Sequence, residues 1–244
     1  MAVNFDFGYI LSTLPLLFTG LKMTIVISVA SIAASLIIGM SGAVVRTLKI
    51  PILSQIVVIY VDLIRNTPLL VHVFYLYFVL PALGIKLSAV AVGIIALSLW
   101  GGAFAAENFR GGTDAVPSAL IESGQALGMS TWQIVRFVII PLGFRISFPA
   151  FSNTAVSVIK NSAYMTSIGV AELTFMAMDR IAYDFKTYEM LSTIALIYLI
   201  LIWGTSYLFR MIERKLDYKT KTMKGRGLNG GIIQKLKLYP RRAD

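Results

Sequence analysis

Residues 23–45 form a run of 23 residues without one charged side chain. That run limits the fold more than anything else in the chain. About 20 consecutive apolar residues cross a bilayer as a helix, because hydrocarbon offers backbone N–H and C=O groups no partners except one another. Similar runs follow. Residues 87–106 and 190–209 are each uncharged over 20 residues, and residues 137–159 are apolar apart from Arg145. The stretch 50–85 is apolar but is interrupted by Asp62, Arg65 and Pro68. The expectation is an all-α membrane protein with about five transmembrane helices. Composition agrees: the chain is 57% hydrophobic and 14% charged, where soluble domains carry about 25% charged residues. Residues 1–216 make the membrane domain and 217–244 a basic tail. Ahead of Lys22, the aromatic residues Phe5, Phe7 and Tyr9 and the apolar stretch 11–17 predict a short interfacial helix.

Five spans put the termini on opposite sides, and basic residues collect on the cytoplasmic side. Arg46, Lys49, Arg110, Arg136 and Arg145 fall on one side with the C-terminal stretch 210–242, which holds eleven of the 22 Lys and Arg residues. Lys22, Lys86, Lys160, Arg180 and Lys186 fall on the other. The N-terminus is therefore expected outside and the C-terminus in the cytoplasm. The basic tail suits anionic lipid better than nucleic acid, given the membrane body. The start MAVNFDFGYI lacks the basic opening of a secretory signal, so no cleaved leader is expected.

Several chemistries are excluded. There is no cysteine, and His72 is the single histidine. Thiolate and imidazole metal sites, disulfides and Cys nucleophiles drop out. The acids are scattered, so no catalytic set forms at membrane depth. No GxxxxGK[ST] loop occurs, so the chain cannot cradle ATP by that means. We find no internal repeat, which counts against inverted-repeat carriers.

Between the third and fourth spans lies a segment too polar to cross a membrane. Pro117 and Ser118 can open a helix. Gly124 weakens it by about 1 kcal/mol relative to alanine. Gly128 suits a left-handed helix end. Ser130 with Gln133 reads as the capping box of a second helix. The loop as a whole runs over about 111–136. Residues 163–189 are expected to form an outer loop with short helices near 169–178.

This segment resembles the EAA loop of permease subunits of binding-protein-dependent ABC importers. Glu122, Gly128, Val138, Ile140 and Pro141 take the motif's places, and Ser123-Gly124 stands where two alanines are usual. Three further stretches are similar to the polar amino acid branch of that family: DLIRNTPLLVHVFYLYFVLP at 62–81, AENFRGGTDAVPSALIESGQALGMS at 106–130, and IKNSAYMTSIGVAELT at 159–174. The resemblance covers roughly residues 24–214. It implies a type I ABC importer permease in a bacterial cytoplasmic (inner) membrane. It also implies pairing with a second permease subunit, a cytoplasmic ATP-binding subunit dimer that holds the ATP and Mg, and an outer amino acid-binding protein. This chain would then be no enzyme itself. Glu122, Ser123, Gly124, Ala126 and Gly128 would form the helix that couples to the ATPase. Glu172, Asp179, Arg180 and Asp184 would offer a docking surface to the binding protein, or merely a solvated loop. The rival functional reading is a stand-alone channel or carrier for small polar solutes.

Candidate path residues come from polar groups inside spans, which usually face a cavity or a bundle interior. Thr154, Ser157 and Asn161 share one helix face. That face lines a path or packs against another helix. Thr67 sits beside Pro68, which can break the helix and free carbonyls toward a substrate. Asp62 and Arg65 are spaced to pair with each other, or Arg65 attracts a substrate carboxylate. His72 reads as packed among aromatics. By the resemblance, members carrying cationic amino acids often place an acid where Asn161 stands. An amide does not compensate a cation there, so the substrate leans to neutral or acidic amino acids.

Overall fold

The structure, a computed structural model, describes residues 5–216. The basic tail at 217–244 lies outside the described residues. Among those described, the regular structure is helical throughout: α1 (Phe7–Thr47), α2 (Leu53–Arg65), α3 (Leu69–Phe74), α4 (Ala89–Asp114), α5 (Ser118–Ala126), α6 (Thr131–Ile134), α7 (Ile140–Asn161), α8 (Leu173–Asp184) and α9 (Thr187–Leu216).

Four helical stretches are each long and apolar enough to cross a membrane, and the bent pair α2–α3 makes a fifth. The pair bends by 105° at its break. Val61 and Ile64 of α2 pack with Ala103 and Ala106 of α4, whereas Leu69 and Val73 of α3 pack with Val92, Ala96 and Leu97. The two halves therefore meet α4 at different levels, α2 near 99–106 and α3 near 92–97.

Helix α4 is the hub, packed against α1, α2, α3 and α7. Lipid tails are as apolar as leucine, so hydrophobicity cannot drive this association. Close backbone approach and dispersion do. The sequence supplies small residues for that purpose. Ser31, Ser35, Gly39 and Gly42 of α1 are buried against Ser98, Gly101, Gly102 and Ala105 of α4. A Cβ at Gly39 would collide with the Ala105 side chain.

Two π-helical turns interrupt the spans, at Tyr75–Val79 and Val135–Ile139. Each ends just before a proline, Pro81 or Pro141. Proline cannot donate to the carbonyl four residues back, and its ring clashes with that carbonyl. Widening the preceding turn to i→i+5 bonds, as in Leu80 N–H to the Tyr75 carbonyl and Ile140 N–H to the Val135 carbonyl, relieves the clash and keeps the chain helical. The fourth span is thus continuous from Thr131 to Ile168.

Two expectations are corrected here. The residues before Lys22 are no separate interfacial helix. Asp6 caps the helix by accepting from Tyr9 N–H, and α1 runs unbroken for 41 residues, about 60 Å. That is near twice the hydrocarbon thickness of about 30 Å, so the first turns of α1 stand beyond the bilayer. The loop expected at 163–189 is mostly helix. A 3₁₀ turn, Ser162–Ile168, extends the fourth span, and α8 then packs on α1 and α9 through Leu17, Leu173, Ala177, Met190 and Ile194.

Charge marks the two ends. At one end, Lys186 bonds Asp6 at 3.2 Å, and Tyr9 donates to Asp184 at 2.7 Å. At the other, Glu107 bonds both Arg46, at 2.9 Å, and Arg110, which also reaches Asp114. Helix α5 lies just past this second cluster.

Candidate functional site

Three surfaces carry the polar residues the sequence singles out. The first is the break between α2 and α3. Pro68 has extended backbone, φ −65° and ψ 137°, and ends the hydrogen-bond ladder of α2. Arg65, Asn66, Thr67 and Pro68 are all exposed. Leu69, the next residue, is buried in the same cluster as Val158 and Met165, so the break sits at the level of the outer half of α7. Thr67 donates to the Leu63 carbonyl at 2.6 Å and also lies 2.6 Å from His72 Nε2. The expected pairing of Asp62 with Arg65 is absent among the described residues. The Arg65 guanidinium instead lies over the Phe104 ring, 5.2 Å from its centroid. Irregular backbone at membrane depth survives only where protein buries it or it lines a watery cavity. An exposed break of this polarity cannot face lipid.

The second surface runs along α7. Asn153 and Lys160 are exposed, Ser157 and Asn161 are half-buried, and Tyr164 continues the line. Steps of three and four residues keep them on one stripe. Thr154 does not belong to it. It is buried and accepts from Asn108 Nδ2 at 2.8 Å, so it faces α4 and holds α7 to the hub. The shared face expected for Thr154, Ser157 and Asn161 is therefore corrected: Ser157 and Asn161 lie open, and Thr154 is turned inward. The sequence reading names neither Asn153 nor Lys160 for this stripe. The signal was available in the spacing 153, 157, 160, 164. Lys160 lies near the outer end of the fourth span and forms no ion pair among the described residues.

The third surface is α5. Of its nine residues only Gly124 is buried. A Cβ at Gly124 would stand 3.2 Å from Ile134 Cγ1, tighter than ordinary contact. Glycine here lets α5 sit down on α6. Glu122, Ser123 and Ala126 stay exposed. The helix ends as expected at Gly128, whose φ is +76°. Gly128 N–H bonds the Gln125 carbonyl at 2.9 Å and Met129 N–H the Gly124 carbonyl at 3.0 Å, the paired bonds of a Schellman ending. Ser130 and Gln133 cap α6 reciprocally. Beside these polar groups stand apolar ones with nothing to cover them: Leu127 is 81% exposed, and Leu120 and Trp132 are also open.

Glu172, expected on an outer docking surface, is instead fully buried. It caps α8 through Phe175 N–H at 2.7 Å and accepts from Tyr198 OH at 3.1 Å and Thr24 OH at 3.4 Å. Burial pushes its carboxyl above the usual carboxylate range, against the pull of these hydrogen bonds. Asp184 is engaged with Tyr9, and Arg180 lies 3.9 Å from Asp184.

Comparison with known proteins fits this geometry. A family model described as "Binding-protein-dependent transport system inner membrane component" matches residues 35–218. The chain is 34% identical over 216 residues to the glutamine transport system permease protein GlnP of Escherichia coli (strain K12), covering 88% of this chain and 99% of that one. It is 34% identical over 204 residues to the L-cystine transport system permease protein TcyB of Bacillus subtilis (strain 168), covering 83% and 87%. Among solved structures, the crystal structure of an amino acid ABC transporter with histidines superposes with a TM-score of 0.81 at 30% identity, over 88% of this chain and all of that one. The MetNI methionine ABC transporter shares the fold, with a TM-score of 0.73 at 20% identity.

Proposed function

Because this chain belongs to the family of binding-protein-dependent transport system inner membrane components, we propose that it is the permease subunit of an ATP-driven importer of amino acids. Its relatives' names support the substrate class. The end bearing α5 is cytoplasmic, by the bias of its basic residues. An ATP-binding subunit dimer docks there and supplies the ATP and Mg. A second permease subunit covers the exposed break and the α7 stripe. An outer amino acid-binding protein delivers ligand at the opposite end.

The observation that carries this reading is α5. It is a short helix outside the spans, anchored through Gly124 and Ile121, with Leu120, Leu127 and Trp132 uncovered around Glu122. A loop that merely joined two spans would not leave large apolar groups beside a capped helix. They fit a groove on a partner, with Glu122 as its polar contact and Gly128 setting the turn. Motion delivered to α5 reaches α6 and then α7, which carries Ser157 and Asn161 on the substrate path, while Thr67 lines the path from the break. Thr154 serves that path indirectly, by fixing α7 on α4. The absence of an acid at Asn161 supports a neutral or acidic amino acid over a cationic one.

The test is co-purification with the ATPase. Glu122→Lys and Gly128→Val are expected to lose both ATPase association and uptake in reconstituted vesicles. If association and uptake survive both changes, the coupling assignment fails. Preferential inhibition of uptake by arginine and lysine would overturn the substrate class.

A further inference from the structure

Helix α9 is uncharged from 190 to 209 and then carries Arg210 and Glu213. Charges that follow an uncharged run of that length stand at the headgroup level. Farther on, Leu216 packs with Ala43 and Phe109, beside the Arg46–Glu107 pair, so this is the end that bears α5. Steps of three and four residues put Ser206, Phe209, Arg210 and Glu213 on one face of α9. That face and the face of α7 that carries Asn153 enclose a cavity of about 190 Å³, the room of about six waters. Phe209 packs on Phe148, with ring centroids 6.2 Å apart, and ties the two walls together.

The polar groups of this cavity are uncommitted. Arg210 and Glu213 are spaced to pair on one helix face, yet neither forms an ion pair or a side-chain hydrogen bond among the described residues. The Ser206 hydroxyl and the Asn153 amide have no hydrogen-bond partner there either. Glu213 is half-buried, and a carboxylate so placed cannot face lipid tails. It also repels a lipid phosphate drawn to Arg210. The cavity therefore offers one cation and one anion together. Side chains three apart on a helix stand about 5–6 Å from each other at Cβ. A ligand that answers both must carry opposite charges close together, and every α-amino acid carries them on one carbon.

We propose that this cavity is a second amino acid site, at the cytoplasmic mouth of the path, and that internal amino acid bound in it slows import. The α-carboxylate meets Arg210 and the α-ammonium meets Glu213. Asn153 and Ser206 complete the hydrogen bonds from the two walls. The ligand thereby fastens α7 to α9, and α7 is the helix that moves with α5. Both charges are read on the α-carbon, so the site takes the transported class without selecting a side chain. Asn153 heads the stripe that continues to Ser157 and Asn161, so the cavity opens where an imported amino acid leaves. The inference rests on reading that stripe as the path and α5 as the coupling helix.

The experiment uses the permease with its ATPase subunits in vesicles that hold ATP inside and receive the binding protein, loaded with labelled L-glutamine, outside. Initial uptake is compared with and without unlabelled L-glutamine trapped inside at about 10 mM, above the millimolar affinity that two partly screened ion pairs allow. Trapped glutamine is expected to slow the wild type at least about fivefold, the lower end of ordinary coupling between sites. Arg210→Gln and Glu213→Gln should each import at the wild-type rate without trapped glutamine and lose the inhibition to within about twofold. Ser206→Phe fills the cavity with both charges in place and should lose the inhibition as well. Trapped propionamide, which carries neither charge, should inhibit none of them. A wild type indifferent to trapped glutamine, or inhibition that persists in all three variants, overturns the proposal. So does a loss of uptake in Arg210→Gln that appears only in vesicles containing phosphatidylglycerol and leaves the inhibition in place, since Arg210 is then a lipid anchor. A wild-type complex with no ATP-driven uptake overturns the transport reading itself, which is a separate result.

Discussion

Glu172 is the side chain whose chemistry the fold alters most. Its carboxylate is fully buried, and it is held by hydroxyls and by the N-terminal N–H groups of α8, with no basic group bonded to it among the described residues. Burial raises its pKa. The folded protein then binds this proton more firmly than the unfolded chain does, so stability falls as pH rises through the interval above the ordinary carboxylate range. Melting of the detergent-purified complex between about pH 5 and about pH 8 should show that loss. Glu172→Gln should remove it, by difference from wild type. Glu172→Ala should be worse than either throughout, by about 1–3 kcal/mol, because it leaves Thr24, Tyr198 and the α8 N-terminus without their acceptor. A wild-type slope identical to that of Glu172→Gln would show that the carboxyl titrates normally. Asp6 has the opposite sign. Bonds from Tyr9 N–H and Lys186 lower its pKa, so its contribution is lost as pH falls below the ordinary range. The sequence reading puts Glu172 on the surface because it lies between spans. Its partners stand 148 and 26 residues away, and no local pattern connects them.

At the scale of elements, what was legible divides cleanly by range. The α5–α6 turn is set by neighbours, so Gly128, Ser130 and Gln133 announce it in sequence. The break at Pro68 is only partly legible: proline removes a donor wherever it stands, yet Pro15 and Pro149 lie inside continuous helices. What sequence reading misplaces is which side of a helix faces out. Thr154 and Ser157 are close in angle around α7, yet one meets Asn108 and the other stays open. Hydroxyls alone do not reveal that difference, whereas the exposed Asn153 and Lys160 do. The chain has no cysteine, which permits a direct check. Single cysteines at Asn153, Ser157 and Asn161 should react with a water-soluble maleimide, and those at Thr154 and Val158 should not. Equal labelling of all five, or of none, would remove the path from α7. Gly124 gives a second test at this scale. Gly124→Ala needs Ile134 to yield by a few tenths of an ångström and should keep ATPase association. Gly124→Leu has no space against α6, so it should lift α5 and lose association, although it leaves every exposed contact residue in place.

For the whole molecule, the proposed coupling through α5 requires its loop to move the α7 stripe as a body, and two connections leave that loop. One is α7, continuous through the Val135–Ile139 turn from α6 to Asn161. The other is α4, whose inner end is bound to α1 by Glu107. That carboxylate bonds Arg46 at 2.9 Å and Arg110 Nε at 3.0 Å. Removing it leaves two guanidinium groups facing each other at the seam. The group is about a quarter exposed, 26%, so solvent screens part of the interaction. The cost should be about 1–3 kcal/mol, between the values for surface and buried pairs. Glu107 lies on α4 before α5 and does not belong to the displayed surface. Glu107→Ala should therefore keep ATPase association but weaken the dependence of ATP hydrolysis on delivered substrate, because the α1–α4 seam yields when α5 is moved. Glu122→Lys should lose association first. The two variants separate docking from transmission. If Glu107→Ala hydrolyses ATP with wild-type dependence on the loaded binding protein, the α1–α4 seam has no part in transmission, and α7 alone carries the motion. If it fails to associate, the charge cluster shapes the docking surface itself, and the division between the two ends of α4 is wrong.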